Sequence, residues 1–85
     1  MKEYINTILI EIEEKIKEHK VLNTAYPDEL LEQMSFLNVK IGEANKMAYF
    51  LFRNSGSRTE DWYNLQLRKD LMQVIVNCTR ILEKL

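Results

Sequence analysis

From Lys2 to about Lys20 the apolar residues Ile5, Ile8, Leu9, Ile12 and Ile16 recur at three- and four-residue steps, with Glu and Lys between them. That spacing gathers them into one stripe of a helix and overrides the strand preference of isoleucine taken alone. Residues 21–26 carry no helical period, and Pro27 disfavours helical geometry at Tyr26 while suiting the first turn of a following helix. Leu30, Met34, Leu37, Ile41, Ala44, Ala48 and Leu51 then alternate steps of four and three, a heptad seam and the strongest pattern in the chain. Gly42 falls inside that seam with no breaker beside it, which reads as a point of close approach. After the polar run Asn54-Ser55-Gly56-Ser57-Arg58, Thr59 followed by Glu60 and Asp61 marks an N-cap with acids in the first turn. The third helix repeats the same steps at Leu67, Leu71, Val74, Cys78, Ile81 and Leu85, with a second stripe at Trp62, Leu65, Met72, Ile75 and Leu82.

The spacing therefore predicts helices over about 2–20, 27–53 and 59–85, forming one all-α domain over residues 1–85. The short polar loop folds the second and third into a long antiparallel hairpin, and the shorter first helix covers part of it as a three-helix bundle. A chain of 85 residues sits near the size at which one core gives only a few kcal/mol, so a second copy covering the rest of the hairpin, a homodimer, is expected.

Composition supports helix over strand, with 46% apolar residues, two glycines and one proline. Formal net charge is only −1, although residues 1–32 hold eight acids against four lysines and residues 33–85 hold eight bases against five acids. Two solvated faces of opposite sign within one fold account for that asymmetry, and the molecule as a whole has no strong field to attract nucleic acid. The single cysteine, Cys78, excludes an intramolecular disulfide and suits a reducing, cytoplasmic setting. No segment approaches the roughly 20 apolar residues that span a bilayer, and no signal-peptide core is present, so a soluble protein without membrane association is expected.

Chemistry is sparse. His19 is the only histidine, near the end of the first helix where imidazole suits the dipole. Cys78 lies on the seam as a small hydrophobe, and Gly42 and Gly56 are too isolated to cradle a phosphate. The pattern Glu29-Leu30-Leu31-Glu32 resembles the first half of the magnesium motif of the MazG-type all-α nucleotide pyrophosphohydrolases. Its closest second half, Leu67-Arg68-Lys69-Asp70, has leucine where that family has glutamate, and it sets two cations beside the site. The expectation is a protein that is not an enzyme and needs no cofactor or metal.

Recognition is better served. Tyr49, Phe50, Phe52 and Arg53 gather at the end of the second helix, with Lys46 one turn back, and Arg58, Trp62 and Tyr63 enter just across the loop. Tyr49, Phe52, Arg53, Arg58, Trp62 and Tyr63 are the candidate partner-binding residues, because Trp, Tyr and Arg dominate binding hot spots. The same aromatic and basic set could stack bases of single-stranded nucleic acid, which makes a nucleic-acid accessory protein the alternative. From Glu29 to Leu85, with Met34-Ser-Phe-Leu-Asn-Val-Lys-Ile-Gly-Glu-Ala-Asn-Lys-Met-Ala-Tyr at its centre and a polar loop before Trp62, the text resembles the small helical-hairpin proteins of bacteriophage early operons. That resemblance implies a phage regulator or inhibitor acting on a larger machine, or a helper in replication or recombination, and it brings no site residues with it.

Overall fold

A computed structural model describes residues 2–22 and 27–85, the side chains of residues 19–22 excepted. It is all-helical, with α1 at Lys2–Leu22, α2 at Leu30–Arg53 and α3 at Glu60–Lys84, and no strand among the described residues. The non-helical segment expected around residues 23–26 and the His19 side chain lie outside the described residues.

α2 starts three residues later than the Pro27 signal suggests. Glu29 is the N-cap in extended geometry (φ −81°, ψ 138°), and the first helical bond runs from the Gln33 amide to the Glu29 carbonyl at 2.9 Å. The Gln33 side chain reaches back and donates through Nε2 to the Pro27 carbonyl at 2.9 Å, holding residues 27–29 as a lead-in. Asp28 and Glu29 therefore precede the helix, and Glu32 is the acid in its first turn, where it meets the positive end of the dipole.

The link 54–59 is closed by its own polar groups. The Asn54 amide and its Nδ2 both donate to the Phe50 carbonyl, at 3.0 and 2.7 Å, which satisfies an end-of-helix acceptor. Gly56 adopts φ +79°, a left-handed turn conformation open to glycine at little cost, and its N–H donates to the Glu60 carboxylate at 2.8 Å. Thr59 is the N-cap of α3 as expected, yet its side chain caps nothing; its hydroxyl lies 3.0 Å from that of Ser57. Glu60 fixes the turn in its place.

α2 and α3 pack closely, and a link this short obliges them to run in opposite directions. Gln33, Leu37 and Ala44 are the buried residues of α2; Met72, Val76, Asn77 and Ile81 are those of α3. At 100° per residue the Met72–Val76 row lies about 140° around α3 from the Asn77–Ile81 row. Asn77 and Ile81 therefore face α2, while Met72 and Val76 line a groove with Glu11 and Lys15 of α1. α1 packs on α3 and makes no close approach to α2 among the described residues. The three helices form an open layer with α3 in the middle, extending 42 × 31 × 22 Å.

Two expectations fail here. The heptad seam of α2 is not buried throughout, because Met34, Ile41 and Ala48 face outward while Leu37 and Ala44 meet α3. Gly42 is no point of close approach within the chain: it lies on the outer side of α2, and a Cβ added there would meet nothing within 4 Å.

Candidate functional site

The turn end of the α2–α3 pair carries a chain of touching rings. Phe50 stacks on Tyr63 with centroids 5.9 Å apart and planes 29° from parallel, which ties the last turns of α2 to the first of α3. Tyr49 tilts against Phe50 at 5.9 Å, and Trp62 meets Tyr63 edge-on at 5.0 Å, both ordinary attractive aromatic geometries. Phe50 and Tyr63 are half-buried, so they support the outer rings, while Tyr49 at 58% and Trp62 at 54% exposure present their faces to solvent. The Lys46 ammonium sits 5.8 Å from the Phe50 ring centroid, within cation–π reach.

Arg53 and Arg58 are exposed beside these rings. Phe52, 78% exposed, joins none of the ring contacts among the described residues, because it projects from α2 on a different side from Phe50. The structure thus brings Tyr49, Trp62 and Tyr63 together, leaves Phe52 apart, and reveals Phe50 as the ring that joins the two helices. Phe50 escaped selection in the sequence because nothing in its spacing says which of three neighbouring aromatics turns toward α3.

Arg53, Arg58, Arg68 and Lys69 do not form one continuous basic face, because Arg68 is engaged by α1. Arg68 donates from both terminal nitrogens to both oxygens of Glu11, at 2.9 and 2.7 Å, pinning α1 to α3 with a forked ion pair. The hydrogen bonds from Arg68 hold the Glu11 carboxyl below the usual carboxylate range, and Glu11 in turn raises the guanidinium's affinity for its proton. Lys15, one turn on from Glu11 along α1, pairs with Glu18 at 3.6 Å.

Among the described residues no three His, Cys, Asp or Glu side chains converge as a metal site would require. Glu32 lies in the first turn of α2, far from the link, whereas Asp70 is midway along α3, so at 1.5 Å per residue roughly 15 Å of helix separates them. Cys78 is half-buried. No described helix is long and apolar enough to cross a membrane. No family model, curated protein or solved structure matches this chain.

Proposed function

We propose that this chain is a non-enzymatic helical interaction module, a homodimer working in a reducing, cytoplasmic setting, that presents the turn end of α2 and α3 to a protein partner. The observation that carries this reading is the ring chain Tyr49–Phe50–Tyr63–Trp62. Two of its members are held in place by packing and two are left half or more exposed, with Arg53 and Arg58 alongside. Aromatic rings already fixed in position lose little freedom on binding, and Trp, Tyr and Arg are the residues on which interface energy concentrates. With its resemblance to small early-operon phage proteins, the chain fits a regulator or inhibitor of a larger machine.

The test is capture of a partner from nuclease-treated host-cell lysate by the tagged protein and by its Trp62→Ala and Tyr49→Ala variants. Loss of a nuclease-resistant partner in the variants, with helical circular dichroism unchanged, is the expected result. Equal capture by all three proteins would remove the ring chain as the contact surface.

The cation over Phe50 favours a second reading, single-stranded nucleic acid stacked on the same rings. It predicts binding that weakens steeply with salt as phosphate contacts release counterions. Arg68, the next cation along α3, is turned to α1 and engaged by Glu11, so only Lys46, Arg53 and Arg58 stand near the rings, which ranks this reading below the first.

A further inference from the structure

The heptad seams of α2 and α3 are each split lengthwise. In α2 the positions Leu37 and Ala44 are buried against α3, while the alternate positions Met34 and Ile41 are 47% and 40% exposed and Ala48 is exposed as well. In α3 the split is the same: Ile81 is buried, whereas Leu71 is 48% exposed, Cys78 is half-buried and Leu85 is 81% exposed. On the helical wheel each exposed row sits about 50–60° around from its buried row, displaced in the same rotational sense on both helices. In helices that run in opposite directions, an equal displacement brings both rows to the same flat side of the pair.

Apart from Glu60 at the turn end, whose carboxylate is taken up by the Gly56 N–H, that side also lacks charge. The arc of α2 holding Met34, Ile41 and Ala48 is completed by Leu30, Asn38, Asn45 and Phe52. The matching arc of α3 beyond Glu60 contains Asn64, Leu67, Leu71, Ile75, Cys78 and Leu82. Every charged residue of α2, from Glu32 to Arg53, falls on other arcs. Surface helices place their charges on whichever side meets water, so an exposed side without any is one that another apolar surface covers.

The size of the uncovered surface indicates what covers it. The accessible surface is 6635 Å², where a compact monomer of this mass shows about 5,300 Å². The radius of gyration is 14.5 Å, where about 12 Å is usual for this length. The excess over the whole chain, roughly 1,300 Å², includes the exposed face of α1 and still leaves room for the ~800 Å² that each partner contributes to a stable interface. A heptad seam is completed by another helix carrying the same repeat, and this chain supplies two such helices already paired at the right spacing.

We infer that a second copy of the chain docks on this side, face to face about a two-fold axis, so that α2 and α3 of each protomer enclose a four-helix core with Met34, Ile41, Leu71 and Cys78 at its centre. This inference rests on the self-association part of the proposed function and adds the surface and the arrangement; it leaves the aromatic end free for a different partner.

Sedimentation equilibrium of the full chain over a wide concentration range tests it, with Ile41→Glu and Leu71→Glu as probes and Val39→Glu, exposed on another arc, as control. The expected result is twice the chain mass for the unmutated protein and the control, and a single chain mass for each probe, with helical circular dichroism retained throughout. Alkylation of Cys78 in the unmutated protein gives a readout free of substitutions: its rate rises on dilution as the dimer separates. A mass unchanged by both probes, or a dimer lost equally in the control, would overturn the face while leaving self-association standing. A folded single chain at every concentration would overturn both.

Discussion

The two contacts that α3 makes are opposites in kind. Toward α2 it offers Asn77 and Ile81, and the interface is tightly buried although its buried residues include two amides, Gln33 and Asn77. Toward α1 it meets the most isoleucine-rich helix of the chain, yet Ile5, Leu9 and Ile10 remain 48%, 52% and 57% exposed, and the clearest bond is an ion pair at the surface. The stripe of α1 is rotated off α3, because Glu11 and Ile8 lead the contact and the stripe's other members follow around the helix. Apolar content does not decide which helix is anchored; the side it presents does.

The sharpest way to break that comparison is truncation on each side of it. Leu37→Ala and Ile81→Ala remove buried methyl groups between α2 and α3 and are each expected to cost about 2–4 kcal/mol. A chain of this length has a total stability on the order of 4–13 kcal/mol, so either variant should lower its urea midpoint sharply. Leu9→Ala on α1, half-exposed, should cost less than about 1 kcal/mol. Equal losses from Leu9→Ala and Leu37→Ala would mean that the stripe of α1 is covered after all.

A smaller effect of opposite sign is expected within the tight contact, toward the end away from the link. Asn77 is fully buried; its Nδ2 donates to the Gln73 carbonyl at 2.7 Å, while its Oδ1 accepts no hydrogen bond among the described residues, and the Gln33 Oε1 is in the same position. Leucine has nearly the shape of asparagine and leaves no acceptor unpaired, so Asn77→Leu should stabilise the protein by about 1 kcal/mol in urea unfolding. The amide's compensating value is register: one polar residue on an apolar seam penalises slipped pairings. Asn77→Leu should therefore broaden the amide spectrum of α2 and α3 even as it raises the midpoint.

These contacts mark where the sequence was legible. Three helices and the turn at Gly56 followed from periodicity and breakers, because both act within a few residues. The half-buried seam of α2 did not follow. The repeat at Leu30 through Leu51 states that two rows are apolar without stating that α3 covers one of them. Tyr49, Trp62 and Tyr63 were singled out because they flank the turn in sequence, whereas Phe50, named in the same cluster, was not singled out since its role depends on which way one ring turns. The Glu11–Arg68 pair joins residues 57 positions apart, beyond the reach of any local pattern.

That ion pair gives the smallest expected effect and the finest test of the contrast between the two contacts. Arg68 holds the Glu11 carboxyl below its ordinary range in the folded chain, so the pair's contribution is fully present above the ordinary carboxylate range and disappears as pH falls through the lowered value. The pair stands at the surface, with 51% of the Arg68 side chain and 27% of Glu11 accessible, so salt should screen it as well. Hydrogen exchange resolved by residue separates the two interfaces. Glu11→Gln at neutral pH, or acid below the ordinary carboxylate range on the unmutated protein, should lower the protection factors of α1 amides, taken against the intrinsic rate at each pH, while leaving those of α2 and α3 near their original values. The acid effect should be absent in the variant, since its glutamine does not titrate. Equal acceleration across all three helices would mean that α1 and the α2–α3 pair open as one unit and that the two faces of α3 are not independent.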